Sequence, residues 1–226
     1  MQQFYSSISF CVRHAGYLFV LCLPVITLEV ALANLVMSLN IDTNMSDSAA
    51  LEAISSVSSQ VVVLVILSLV LSVALSGGVM IAFQELSAST SISSSPYQSL
   101  LSGIKKFFPL LWANLLHSLA YGVGLIMLVL PGFYLYARLG LFPLYVMFEE
   151  KGALDSLSES WQATEEFGTK LFILTTIFLG IQTLYSLLGS IDSGLPFLIS
   201  AALVKYATII PLFHLYFSLY QAIKNN

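Results

Sequence analysis

The sequence from Leu130 to Lys170 reads LPGFYLYARLGLFPLYVMFEEKGALDSLSESWQATEEFGTK and contains the junction on which the rest of the fold depends. Pro131 and Gly132 are turn-forming residues with an apolar run on each side, a pattern that predicts a tight turn between two membrane spans. A polar segment follows at Glu149–Gly152, and apolar residues then recur at helical spacing from Ala153 to Phe167. The stretch therefore predicts a membrane hairpin followed by an amphipathic helix.

The composition of the chain is that of a membrane protein. Of its 226 residues, 58% are hydrophobic and 9% are charged, whereas a soluble domain has roughly 25% charged residues. A helix needs about 20 apolar residues to cross the hydrocarbon core of a bilayer. The predicted fold is therefore all-α and polytopic, a single membrane domain over residues 1–226 with six transmembrane helices at about 16–39, 61–85, 107–130, 133–148, 171–188 and 195–222.

The basic residues set the predicted orientation, because cytoplasmic loops of membrane proteins carry an excess of Lys and Arg. With both termini in the cytoplasm, every basic residue outside the predicted spans falls on the cytoplasmic side: Arg13, Lys105, Lys106, Lys151, Lys170 and Lys224. We expect three amphipathic surface helices on that side, beginning near Phe4, Ser95 and Ala153. Ser95 followed by Pro96 marks the start of the second, since serine caps helices and proline suits the first helical position.

One part of the chain resembles a known family. The residues Leu130-Pro131-Gly132, the segment FEEKGALDSL at 148–157, Ser160-Trp161 and Thr164 are similar to the pattern of the YciC family of bacterial inner-membrane proteins. That family is in turn similar to the membrane domain fused to some glycerophosphodiester phosphodiesterases. The resemblance implies a location in the bacterial cell inner membrane and a six-span fold, and it implies no reaction and no site residues.

Two residues of opposite charge lie deep within the predicted spans. Counted from the outer ends, Glu29 in the first span and Lys205 in the sixth are each about ten residues deep, or roughly 15 Å. A charge at a helix centre costs roughly 2.5–3.5 kcal/mol on insertion scales and is usually retained for a reason. Two interpretations are open: a neutralised structural pair near the midplane, and an ion or proton site between spans one and six.

Arg138 lies six residues after Gly132 in the predicted fourth span. Its long side chain is expected to reach the outer headgroups, and the alternative is a contact with an anionic substrate or lipid from outside. Prolines within spans, at Pro24, Pro143 and Pro211, have two interpretations as well: breaks that build an ion site, or ordinary membrane-helix prolines.

The helix after the fourth span carries a predicted contact face of Leu154, Leu157 and Trp161. The helix is acidic, whereas members of the YciC family usually carry basic residues there, so we expect it to pack against the bundle or a protein partner rather than anionic headgroups. Ser156 and Glu159 are predicted to form a capping box at its start.

The sequence lacks the signatures of soluble enzymes, with no phosphate loop, dinucleotide-binding glycine motif, nucleophile elbow or zinc-protease helix. His14, His117 and His214 lack the paired spacing of metal ligands and are predicted to be hydrogen-bonded histidines. A net charge of −4 without basic runs argues against nucleic acid as a partner. We therefore expect no catalytic site, no metal and no cofactor.

Two functional hypotheses follow for this multi-pass protein. The first is a non-enzymatic structural or interaction component whose cytoplasmic helices contact the bundle or another protein. The second is a transporter or channel for a small solute or lipid, motivated by Glu29, Lys205 and Arg138. Water near the two midplane charges would favour the second hypothesis.

Overall fold

The regular structure is helical throughout residues 2–38, 47–88, 95–189 and 194–225, which are the residues that the computed structural model describes. The all-α fold class is therefore confirmed for this part of the chain. The helices, in chain order, are α1 (Gln2–Arg13), α2 (Ala15–Ser38), α3 (Asp47–Ala88), α4 (Pro96–Ile104), α5 (Phe107–Met127), α6 (Val129–Leu139), α7 (Phe142–Phe148), α8 (Ala153–Ala163), α9 (Gly168–Leu188) and α10 (Leu195–Lys224).

Six helical segments of these described ranges are long and apolar enough to cross a membrane, as predicted, with mean hydropathies between 1.2 and 2.6. This protein is therefore a multi-pass membrane protein. Several helices extend beyond the predicted bounds, because polar residues next to an apolar run continue the helix. The six segments are Ala15–Ser38, Ser59–Ala88, Phe107–Met127, Val129–Phe148, Gly168–Leu188 and Leu195–Lys224.

The turn between the third and fourth spans lies three residues earlier than predicted. Helix α5 ends at Met127, Leu128 is extended with φ −168° and ψ 146°, and α6 begins at Val129. Pro131 and Gly132 are helical residues of α6, so the prediction that they form the turn is wrong. A proline is tolerated at this place because the N–H groups of the first helical turn have no partner within the helix.

Gly132 contributes to the packing of the hairpin instead. A Cβ atom added to Gly124 would lie 2.7 Å from the Cα atom of Gly132, and one added to Gly132 would lie 2.8 Å from the backbone nitrogen of Leu125. The backbones of α5 and α6 therefore approach closely, and they do so because neither glycine has a side chain.

The fourth span consists of two helices and lies at the centre of the bundle. Helix α6 ends at Leu139 and α7 begins at Phe142, with Pro143 in the first turn of α7. In the most apolar window of this span 56% of the residues are buried, against 22–33% in the other five. At the break, a Cβ atom on Gly140 would overlap the ring of Tyr216 in α10. The break is therefore enclosed by protein.

Three short helices precede the first, third and fifth spans, close to the predicted places. Ser95 caps α4 by accepting a hydrogen bond from the Gln98 backbone N–H at 3.4 Å, and Pro96 is the first helical residue, as predicted. Each short helix packs against spans: α1 on α10, α4 on α3, and α8 on α7 and α5. Their placement on a membrane surface, and the cytoplasmic location of both termini, stay predictions.

Candidate functional site

The structure brings Glu29 of α2 and Lys205 of α10 together. The ammonium Nζ of Lys205 donates to the Glu29 carboxylate oxygen Oε1 at 2.8 Å, and the Tyr206 hydroxyl donates to the same oxygen at 2.9 Å. The second oxygen of Glu29 accepts no hydrogen bond from the described residues. The pair cancels two charges that would each be costly within apolar helices.

The ion pair is partly exposed. The side chain of Lys205 is 43% exposed and that of Glu29 is 24% exposed. The ammonium also lies 5.4 Å from the centroid of the Tyr206 ring, so it has a cation–π contact in addition to the ion pair.

Two cavities meet at this pair. A central cavity of about 210 Å³ lies between α2, α3, α5, α10 and the broken fourth span, and it contacts α10 from Lys205 to Tyr216. A second cavity of about 300 Å³, called the α9 cavity here, lies between α2, α9 and α10 and contacts α10 from Leu198 to Lys205. Glu29 and Lys205 line both cavities. The ion pair therefore borders both cavities.

The central cavity has a polar lining from α3 and α5. The Asn114 amide nitrogen donates to the Leu110 carbonyl at 2.8 Å and to the Ser76 hydroxyl at 3.5 Å. Its side-chain carbonyl oxygen accepts nothing from the described residues. The remaining polar groups of the lining include Ser72, Ser118 and Tyr136.

His117 lines the same cavity and is predicted from the sequence to be hydrogen-bonded. It is only 7% exposed, yet its ring nitrogen Nε2 has no hydrogen-bond partner. Its ring lies 4.8 Å from that of Tyr136 and 5.2 Å from that of Phe142. Buried polar atoms are normally paired, so this nitrogen is an exception, and it has almost no surface that water can reach. In the sequence, the depth of His117 within its predicted span is what separates it from the other two histidines.

Arg138 lies elsewhere than predicted. Its side chain does not reach outward to headgroups but is 6% exposed and is held by the segment around α8. The guanidinium donates to the Thr164 hydroxyl at 3.0 Å, to the Trp161 carbonyl at 2.6 Å and to the Tyr134 hydroxyl at 2.9 Å. It also lies 4.2 Å from the Trp161 ring centroid. The structure therefore contradicts an outer-face anion or lipid contact for Arg138.

Two hydroxyl groups form hydrogen bonds with the backbone at the break in the fourth span. They belong to Ser160 in α8 and to Thr164, the residue that follows α8. The Ser160 hydroxyl accepts from the Leu141 backbone N–H at 3.0 Å and donates to the Arg138 carbonyl at 2.9 Å. The Thr164 hydroxyl lies 3.0 Å from the same carbonyl. Backbone groups freed by a helix break must find partners where water is excluded, and α8 provides them.

The buried face of α8 is consequently not the predicted one. Leu154 is 72% exposed and Trp161 is 39% exposed, while Leu157 packs against a small apolar cluster that contains Leu110. The fully buried positions are polar and four residues apart: Ser156, Ser160 and Thr164. The predicted capping box is also wrong, because the residue that caps α8 is Gly152 and the Ser156 hydroxyl donates to the Ala153 carbonyl.

Charged groups tie the α7–α8 connection to the end of α10. The Glu149 carboxylate accepts from Lys224 at 2.8 Å and from the Tyr220 hydroxyl at 3.1 Å, and Lys151 lies 3.5 Å away. Burial alone would raise the pKa of Glu149, but the hydrogen bonds from Lys224 and Tyr220 outweigh it and hold the pKa below its ordinary value. Lys106 pairs with Glu150 at 2.7 Å.

His14 and His214 both contact Phe10, and His117 lies apart from them. His14 Nδ1 lies 3.0 Å from the Phe10 carbonyl, and the His214 ring stacks on Phe10 at 4.0 Å, whereas His117 lies in the central cavity. In the part of the chain that the structure describes, no three His, Cys, Asp or Glu side chains are grouped so that they could hold a metal ion.

No protein-family model matches this chain, and no curated protein or solved structure matches it. The resemblance to the YciC family therefore stays a prediction from the residues quoted above. The geometry of the ion pair and its two cavities is the basis for the functional argument.

Proposed function

We propose that this protein is a transporter or channel that passes a small polar solute between the two faces of the membrane. The observation that carries the proposal is the position of Glu29 and Lys205, which line both the central cavity and the α9 cavity. Polar side chains, among them Asn114 in the first and Gln182 in the second, also line these cavities, so a polar solute could contact them on both sides of the pair.

The polar lining of the central cavity supports the same proposal. The cavity contains Asn114 and His117, which carry polar atoms without a described partner, and it borders the break of the fourth span at Gly140 and Phe142. Broken helices near the middle of a membrane protein are tolerated where they are enclosed by protein or line a water-filled space, and transporters place their solute sites at such breaks.

The rival hypothesis of an interaction component has less support. Its predicted helix packs on the bundle through Leu157, which leaves Leu154 and the partly exposed Trp161 for a protein partner. A protein partner at α8 and the inner-membrane location both remain proposals, and the proposed role involves no catalysis.

Thiol labelling in intact membranes tests the proposed function. In a version with Cys11 and Cys22 replaced by alanine, single cysteines are placed at Ala33 and Ala201, which line the α9 cavity within one turn of the ion pair. The probe is 2-sulfonatoethyl methanethiosulfonate, which is charged and reacts only where water reaches the thiol. We expect both positions to react.

Two control positions make the result interpretable. Ser59→Cys is exposed at the start of the second candidate span, on the side predicted to be external, and should react. Ile177→Cys, exposed on the apolar surface of α9, should be shielded by lipid. Reaction at Ser59→Cys with none at Ala33→Cys or Ala201→Cys would show a dry pair and overturn the proposed function.

A further inference from the structure

The charges beside the two cavities balance each other. Among the described residues that line the central cavity and the α9 cavity, Glu29 and Lys205 are the only Asp, Glu, Lys or Arg side chains. A cation bound at Glu29 or an anion bound at Lys205 would leave the opposite charge without its partner, which is unfavourable inside an apolar bundle. The lining therefore favours ions of neither sign.

The ion pair retains unused hydrogen-bonding groups of both kinds. A lysine ammonium has three N–H donors, and Nζ of Lys205 donates to Glu29 and to no other described residue. The second carboxylate oxygen of Glu29 is an acceptor without a partner in the same part of the chain. An ammonium group can use only the acceptor, and a carboxylate only the donors. A hydroxyl group donates and accepts, so it can bind both partners while the ion pair stays closed.

The rest of the central cavity has the same double character. The hydroxyl groups of Ser72, Ser118 and Tyr136 have no hydrogen-bond partner within the described ranges, and each can donate as well as accept. The side-chain carbonyl oxygen of Asn114 adds a further acceptor. Neutral groups of this kind match a solute that carries several hydroxyl groups and no charge.

We propose that the solute is a short polyol of about the size of glycerol. It binds in the central cavity, where one of its hydroxyl groups donates to the free oxygen of Glu29 and accepts from Lys205, and the others contact the hydroxyl groups of the lining. The cavity of about 210 Å³ limits the size of the solute, since a water molecule alone takes about 30 Å³. This inference rests on the proposed function and names its solute class.

A cysteine in the central cavity tests the charge preference. Ser118→Cys, in the cysteine-free background and in lipid nanodiscs, is treated with three methanethiosulfonates of similar size: the neutral 2-hydroxyethyl, the cationic 2-aminoethyl and the anionic 2-sulfonatoethyl reagent. Ser59→Cys provides their intrinsic rates, and Ile177→Cys, exposed on the apolar surface of α9, reports entry through lipid. Relative to each charged reagent, the neutral one should be favoured about tenfold more at Ser118→Cys than at Ser59→Cys, because a charged group loses more hydration on entering a small cavity.

Competition tests the hydroxyl groups of the solute. Glycerol should slow the reaction of the neutral reagent at Ser118→Cys. The matched control is 1,2-dimethoxyethane at the same concentration, which has as many heavy atoms as glycerol but no O–H donor, and it should not slow the reaction.

A change of one charge tests the balance between the two. In Lys205→Met the Glu29 carboxylate has no countercharge, so the cationic reagent should gain about tenfold over the anionic one at Ser118→Cys. An unchanged ratio in a folded Lys205→Met protein would contradict the role of charge balance. The measurements with Lys205 in place do not depend on this variant.

The outcomes separate this inference from the proposed function. Three results would overturn the polyol inference while leaving a water-filled path: no preference for the neutral reagent at Ser118→Cys, the same preference at Ile177→Cys, or no greater protection by glycerol than by 1,2-dimethoxyethane. No reaction of any reagent at Ser118→Cys, with normal reaction at Ser59→Cys, would show a dry cavity and overturn both.

Discussion

The Ser160 hydroxyl shows how a single polar residue maintains the centre of this bundle. It accepts from the Leu141 N–H and donates to the Arg138 carbonyl, on either side of the break in the fourth span. Leu141 and Ser160 are both 0% exposed, so water cannot replace either bond. The break is therefore stable only while α8 is docked against it.

Ser160→Ala should destabilise the protein by about 1–3 kcal/mol, because the buried Leu141 N–H loses its acceptor. Ser158→Ala is the matched control on the same helix, since Ser158 is exposed and its loss should cost less than about 0.5 kcal/mol. The free energies of unfolding are compared by titration with sodium dodecyl sulfate in mixed micelles. Equal stabilities of the two variants would contradict the role assigned to Ser160.

The amphipathic pattern does not identify the role of Ser160, because a serine on an amphipathic helix normally indicates the exposed face. Two signals point to it: Ser160 and Thr164 belong to the pattern that resembles the YciC family, and Ser156, Ser160 and Thr164 repeat at four-residue spacing. Within a membrane bundle a serine can instead lie on the buried face of a helix, because small hydroxyl residues let helices approach closely and can hydrogen-bond to backbone groups. Arg138 is a similar case, because a charged side chain is expected to reach the headgroups but here finds its hydrogen-bond partners within the protein.

At the scale of elements, the α5–α6 hairpin depends on two glycines that let its helices touch. The sequence correctly predicts a hairpin here, because two apolar runs must reverse direction. It does not locate the reversal, since Leu128 has no turn-forming chemistry, whereas Pro131 and Gly132 do. Proline is also suited to the first turn of a helix, and glycine to a close contact between two helices. Pro131 and Gly132 have these roles in α6.

Gly124→Ala should destabilise the hairpin by about 1–3 kcal/mol, because the new methyl group would overlap the backbone of Gly132. Gly122→Ala is the control, since nothing lies within 4 Å of its added Cβ atom, and alanine favours a helix by about 1 kcal/mol over glycine. Thermal unfolding in detergent ranks the two variants. A loss of stability in Gly122→Ala as large as in Gly124→Ala would contradict the observed packing.

At the scale of the whole molecule, the sequence predicts the six spans from the lengths of its apolar segments. It also predicts that Glu29 and Lys205 can meet, because both lie at the same depth in their spans. Apolar segments of the required length are few, and two charges at equal depth have a strong reason to pair. The cavities on either side of the pair do not follow from the sequence. They depend on the break in the fourth span and on how α2, α9 and α10 pack together, which are set only when all the helices are in place.

The central claim is that the Glu29–Lys205 pair separates two water-filled cavities, and labelling from one face of the membrane tests it most directly. Intact cells carrying Ala33→Cys or Ser118→Cys are treated with 2-sulfonatoethyl methanethiosulfonate, with the pair intact or with both charged residues changed to alanine. We expect Ala33→Cys to react at similar rates in both backgrounds.

Ser118→Cys, which lies beyond the pair, should react slowly while the pair is intact and about tenfold faster when both residues are alanine, because the barrier between the cavities is then removed. An unchanged rate at Ser118→Cys, with normal reaction at Ala33→Cys, would contradict the claim that the pair is the barrier.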